Sequence, residues 1–299
     1  MNKVSNFQWK VIEKEDKKNI INFIKVLNEV DNLEATVSEE MLDYFLSKPN
    51  FKDSMFLIYE EGKLIGIGTC ISSGTSKYEG GFEVYVHPKF RGMGIEDSIY
   101  DILVKKAKEK KLRKVTASSN EDIEYLRSLF ERNKFKEYEY MWHMKLHLRD
   151  KKFESLENNE LSFVKTDIKD LSRFTDLMND GFREGKEGKY TEEALENKFS
   201  DPNTDIYLLK KDDELIACTS ITFQEEMSIG YISGLAVYKI YRGKGFGQIL
   251  LNLSIRKIKE RGLDTASLHV VGTNESALKL YKKSGFDECG KVIRYEKEF

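Results

Sequence analysis

The chain has 299 residues, 40% hydrophobic and 33% charged, with a formal net charge of −2. This length suits two domains of roughly 150 residues, and the near-neutral balance carries no global signal for nucleic acid. No apolar run nears the roughly 18 residues of a membrane span, the N-terminus lacks a secretory apolar core, and Cys70, Cys218 and Cys289 form no C-x-x-C pair.

These exclusions set a first expectation. It is a cytoplasmic protein with no metal and no membrane or nucleic-acid partner, its three thiols packed as small apolar groups. Nothing in the composition fixes an oligomeric state.

The chain repeats itself. Arg91 and Arg242 lie 151 residues apart, as do Ile65 and Ile216, Phe130 and Tyr281, and Phe135 and Phe286. An offset this constant predicts two homologous halves, 1–150 and 151–299, joined by the polar stretch "RDKKFESLENNE" (149–160). The first half carries "FRGMGIEDSI" (90–99) where the second carries "YRGKGFGQIL" (241–250).

The second half gives the element order most clearly. "LSFVK" (161–165) alternates as a strand, and two segments with helix-start residues follow, "DIKDLSRFTDLMNDGF" and "TEEALENKF". Between them lies "GFREGKEGKY" (181–190). "TDIYLLKKDDELIACTSITF" predicts a hairpin around Asp212 and Asp213, and "GYISGLAV" reads as a buried strand. After the glycine loop comes a helix with two apolar stripes, Leu250 and Leu253 beside Leu251, Ile255 and Ile258, stopped at Gly262. "TASLHVV", "NESALKLYKKSGF" and "CGKVIRYEKEF" predict a strand, a helix and a closing strand.

The order β-α-α-β-β-β-α-β-α-β implies an α/β (α+β) fold. Each half would hold a mixed, mostly antiparallel sheet of about six to seven strands flanked by helices. The glycine loop then lies at the C-terminal end of a parallel strand, where α/β sheets bind ligands. Gly243, Gly245 and Gly247 allow positive φ and close approach to the backbone. Their amides, the helix start and the charges of Arg242 and Lys244 suit an anion such as a pyrophosphate. A Walker A loop is excluded because no Ser or Thr follows the Gly-Lys, and a Rossmann loop because Gln248 stands at the third glycine position.

The stretch Arg242-x-x-Gly245-x-Gly247, followed by Asn274-x-x-Ala277-x-x-Leu280-Tyr281-x-x-x-Gly285-Phe286, resembles the GNAT acetyltransferase superfamily. The resemblance covers the second half throughout and the first half more weakly, as a tandem form. It implies acetyl-coenzyme A as donor and a small-molecule amine as acceptor. By the same resemblance, Leu235, Ala236 and Val237 would pair their backbone with the pantetheine arm. Arg242, Gly243, Lys244, Gly245, Phe246 and Gly247 would hold the pyrophosphate, and Asn274 would lie near the arm. Tyr281 would protonate the departing thiolate, as a phenol of pKa about 10 can do as charge develops. His269 is a candidate base, in a strand expected to splay from its neighbour; a packed, hydrogen-bonded histidine and an ordered water are the alternatives. The loop 181–190 is where the family shapes its acceptor pocket.

The first half departs from this pattern at three places. Glu96, followed by Asp97, stands where a small residue belongs, so that the two acids are expected to fill the anion's place; Phe130 stands for the tyrosine, and Lys134 for the glycine of the closing pair. A carboxylate about 4 Å from a phosphate costs on the order of 4 kcal/mol at an effective dielectric of about 20, so this half is expected to be non-catalytic, with the second half catalytic. Two other functions remain open on the sequence: an acyl-coenzyme A sensor or scaffold without turnover, and a peptide or protein acetyltransferase.

Overall fold

A computed structural model of the chain describes residues 7–48, 51, 53–149, 160–183 and 188–299. Most of the expected inter-half linker, 150–159, and the middle of the expected acceptor loop, 184–187, lie outside the described residues. The chain forms two compact units. The first comprises Met1–Tyr140 with Lys291–Phe299, and the second Met141–Gly290.

In the first unit, β1 (Gln8–Val11), α1 (Lys17–Asp31) and α2 (Glu39–Ser47) precede the meander β2 (Met55–Glu60), β3 (Lys63–Ser72) and β4 (Glu79–Val86). Then come α3 (Ile95–Glu109), β5 (Lys114–Asn120), α4 (Glu124–Arg132) and the start of β6 (Lys136–His147). The sheet order is β1-β2-β3-β4-β5, closed by the chain's last strand, β12 (Asp287–Glu298). β12 pairs antiparallel with β5 from Val292↔Asn120 to Glu298↔Lys114. Among the described residues of this sheet, β4–β5 pairs parallel and the other pairs antiparallel.

The second unit repeats this layout with β7 (Leu161–Thr166), α5 (Leu171–Phe182), α6 (Glu192–Ser200), β8 (Thr204–Lys211), β9 (Glu214–Gln224), β10 (Ile229–Val237), α7 (Phe246–Glu260), β11 (Thr265–Val271) and α8 (Glu275–Lys283). Its sheet runs β7-β8-β9-β10-β11 and is closed by the later part of β6, paired antiparallel from Met141↔Val271 to His147↔Thr265.

The compact units therefore differ from the halves 1–150 and 151–299 in one respect. The strand that ends each half in sequence completes the sheet of the other unit. Packing decides this: Ile293 and Tyr295 of β12 are buried in the first unit's core, and Met144, Leu146 and Leu148 in the second's.

Helices cover both faces of the second unit's sheet. Phe174, Leu177 and Met178 of α5 and Leu195 of α6 pack with Ile206, Leu208, Cys218 and Ala236 on one face. On the other, Leu250, Leu251, Ile255 and Ile258 of α7 are at most 1% exposed, each contributing roughly 1.5–3 kcal/mol by leaving water. Asp212 and Asp213, at φ 49° and 65°, turn the hairpin, and Gly262, at φ 82°, follows α7. Cys70 and Cys218 are buried, but Cys289 is exposed. It lies near the start of β12, and its thiol donates to the His143 carbonyl at 3.3 Å instead of packing in a core.

Candidate active site

The parallel pair β10–β11 is bonded at Ile229↔Thr265, Gly230↔Ala266 and Tyr231↔Ser267. Past Tyr231 the two strands part, although β10 continues to Val237 and β11 to Val271. One cause lies in β10. Its register with β9 shifts between Ser233 and Ala236, so that Gly234 and Leu235 face the single residue Thr219. This is a β-bulge, and Gly234 occupies it at φ 62°, a conformation that costs glycine little and other residues more. Bulges bend a strand and increase its twist. The edge of Leu235, Ala236 and Val237 turned from β9 is therefore open to an extended ligand, as in strand addition.

Beyond Val237 the chain makes a 3-10 turn, Lys239–Tyr241, and enters α7 through the glycine loop. Gly243 and Gly245 have φ 75° and 86°. No side chain caps α7, and its first turn carries no acid. Helix-start amides without a cap are the kind of donor group that can meet an anion. Gly247 needs a different explanation. A Cβ there would meet only Leu280 Cδ2, at an ordinary 3.6 Å. The fold does not require glycine at 247.

Arg242 is engaged elsewhere. Its Nε donates to the Val237 carbonyl at 3.1 Å, and its Nη2 to the Asp180 carbonyl at 2.9 Å and Oδ2 at 3.2 Å. Asp180 also accepts from the Lys239 amide at 2.8 Å. The guanidinium thus ties the loop to the end of α5. Lys244 is exposed, its ammonium 5.4 Å from the centre of the Tyr241 ring, and Phe246 meets the same ring edge-on at 6.0 Å. The Asn274 Oδ1 accepts from the Ala277 amide at 3.2 Å and so caps α8. Only its amide nitrogen remains to donate to a ligand.

Tyr281 is 8% exposed, packed against Phe286 in the second unit's core. Burial, with the neighbouring Tyr231 adding to it, pushes its phenol up to about 12. It therefore holds its proton across the neutral range and is a donor, not a base.

At the point where the strands part, the Tyr231 hydroxyl lies 3.0 Å from His269 Nδ1. The His269 ring stacks on His143 with centroids 4.5 Å apart, and His143 Nε2 is 2.8 Å from the Ser267 hydroxyl. His269 is thus hydrogen-bonded through Nδ1 and stacked on a second imidazole. The sequence drew attention to neither Tyr231 nor His143. Tyr231 has no acidic group to mark it, and His143 arrives on β6, from the other half of the sequence. The first unit makes the matching anchor, pairing Arg91 with Asp31 at the end of its first helix.

The first unit shows the same loop closed by its own side chain. Glu96, the counterpart of Gly247, is 4% exposed, and its Oε1 accepts from the Gly92 amide at 3.2 Å. Asp97 does not join it. It is exposed and pairs with Arg132 at 2.9 Å through both oxygens, which corrects the expectation that both acids fill the loop. β4 has no bulge: its register with β3 runs without a shift from Ser72↔Gly80 to Gly66↔Val86, with Glu83 where the second unit has Gly234. Phe130 is buried against Tyr295 and Phe135.

In the second unit, then, a parallel strand pair opens beside an uncapped glycine loop, on a duplicated α/β layout. Residues 24–135 and 171–286 each match the acetyltransferase (GNAT) family. The chain belongs to that family, in tandem form. It is 26% identical to a mycothiol acetyltransferase of Stackebrandtia nassauensis over 227 residues, 72% of this chain and 74% of that one. It is 35% identical to a Corynebacterium efficiens mycothiol acetyltransferase over 95 residues, 31% of either chain. The alignment with this and two Streptomyces relatives spans only about a third of their length. A tandem GNAT protein of the clavulanic acid biosynthesis pathway superposes with a TM-score of 0.78 at 12% identity, covering 98% of both chains. A GCN5-related N-acetyltransferase from Sphaerobacter thermophilus does so with 0.74 at 17% identity, covering 98% of this chain and 95% of that one. At these identities the two structures establish the fold. Among the described residues no group of His, Cys, Asp and Glu could hold a metal ion, and no helix is long and apolar enough to cross a membrane.

Proposed function

We propose that the second unit transfers an acetyl group from acetyl-coenzyme A to the amine of a small molecule, and that the first unit does not catalyse. One contrast carries this reading: Gly247 leaves the second unit's loop amides open, whereas Glu96 occupies the matching amide in the first. Acetyl-coenzyme A supplies an activated thioester. The amides of residues 243–247 bind its pyrophosphate, with Lys244 adding charge. The free edge of Leu235–Val237 orients the pantetheine arm, and the Asn274 amide reaches toward it. Tyr281 holds the proton that the departing sulfur needs.

His269 takes the acceptor's proton through Nε2 in the tautomer whose Nδ1–H donates to the Tyr231 oxygen. The similarity to mycothiol acetyltransferases over most of the chain supports a small acceptor. A shorter match, 38% identity over 80 residues to N-alpha-acetyltransferase 30 of Xenopus laevis, makes peptide N-termini worth including in the assay.

The test is calorimetric titration with coenzyme A, followed by thiol release from acetyl-coenzyme A against polyamines, amino acids, aminoglycosides and peptides. One binding site per chain and turnover with a small amine are expected. Two equivalent sites, or binding with no turnover on any amine, would overturn the reading in favour of a sensor.

A further inference from the structure

Lys198 on α6 is a cation that the proposed chemistry leaves unused. Its ammonium donates to the Ser233 hydroxyl at 3.2 Å, at the bulge of β10. Ser233 is already held from the β9 side. Its hydroxyl lies 2.8 Å from that of Ser220, and its carbonyl accepts from Ser220 at 3.0 Å and Thr219 at 3.3 Å. The bulge is therefore fixed without Lys198, and the lysine is an addition to it.

An ammonium has three donors. Among the described residues, Ser233 is the one hydrogen-bond partner of Lys198, and no carboxylate lies within ion-pair distance of it. The side chain is partly buried, and burial favours its neutral form more than Asp201 and Cys218 at longer range oppose it. A desolvated cation without a counter-ion is costly, and such groups persist where an anion arrives to pair with them. The donor's phosphates do not fit that role, since their loop lies beyond the other end of β10, past Val237. Ser233 stands instead between Tyr231, where the strands part, and the Leu235–Val237 edge. That is the reacting end of the cleft, on the face covered by α5 and α6.

We infer that Lys198 binds an anionic group of the acceptor, so that the acceptor is a small amine that also carries a carboxylate or a phosphate. The inference rests on the transferase reading of the second unit. In the free protein, Ser233 takes one of the three ammonium donors and leaves the others for the incoming anion. The acceptor's amine is then oriented from its far end, as remote binding contacts orient reacting groups.

The experiment compares kcat/KM for matched acceptors: glycine with glycinamide, glutamate with its diamide, phosphoethanolamine with ethanolamine, and glucosamine 6-phosphate with glucosamine. The expected result is a preference of at least tenfold for the anionic member of one or more pairs, expressed mainly in KM. Which pair responds distinguishes carboxylate from phosphate. Lys198→Met should bring that ratio to within about threefold of unity, Lys198→Arg should keep most of it, and neither should change the Kd for coenzyme A. A lysine that only ties α6 to β10 would move Tm or overall turnover and leave the ratio alone. Turnover without a preference for anions, or a preference that survives Lys198→Met, overturns the inference while sparing the transferase. No turnover on any pair despite tight coenzyme A binding overturns both.

Discussion

Tyr281 is a phenol that the fold keeps neutral. The ordinary value is about 10, and burial raises it to about 12. The sign follows directly: with the folded value above the unfolded one, this group's stability contribution is complete below pH 10 and is lost as pH climbs from 10 to about 12. Within the working range it stays a proton donor, so any alkaline fall in kcat below about pH 10 must come from another group. Tyr281→Phe is expected to lower kcat by roughly 10²-fold or more, with the Kd for acetyl-coenzyme A nearly unchanged; single-turnover kinetics and calorimetry measure the two. An unchanged kcat removes Tyr281 from the chemistry. The phenol was legible because it closes a spaced motif. Its partners were not. Tyr231 and His143 are ordinary residues of two strands until β6 is laid beside β11, which sets His143 opposite His269.

The strand–loop–helix element from β10 to α7 is where the two units diverge. Local chemistry sets much of it. Glycines at positive φ lead into the helix, and a four-residue apolar face holds that helix on the sheet. What local chemistry does not set is whether the loop is open. In the first unit a glutamate one position into α3 folds back on the Gly92 amide, while its neighbour Asp97 turns outward to Arg132. Gly247→Glu should transplant that plug. Because Leu280 leaves ordinary space at 247, the variant is expected to keep the wild-type Tm within about 2 °C. It should weaken coenzyme A at least 100-fold, since a carboxylate about 4 Å from a phosphate costs on the order of 4 kcal/mol. Unimpaired binding in calorimetry would show that the pyrophosphate lies elsewhere.

At the scale of the whole molecule, the exchange of closing strands governs how the chain can be divided. A chain ending at residue 150 keeps β6 but lacks β12, and so loses Ile293, Tyr295 and the ladder on β5. A chain beginning at 151 lacks Met144, Leu146, Leu148 and the ladder on β11. Neither half is expected to fold alone, whereas a chain ending at Gly290 should lose protection in 1–140 and retain it in 141–290. Hydrogen exchange measures this, and a stable, cooperatively folded 1–150 fragment would refute it. The sequence alone determined the duplication, the element order, the helix stripes, the left-handed conformations of Gly243 and Gly245, and the family, because each depends on spacing within a few turns or on direct self-comparison. Only the tertiary structure decided which strand closes which sheet, that Arg242 pairs with Asp180, that Glu96 and not Asp97 fills the first loop, and which aromatic rings gather where β10 and β11 part. Those outcomes depend on pairing between segments tens to hundreds of residues apart, and hydrophobic periodicity does not specify which remote edge or carboxylate a residue will meet.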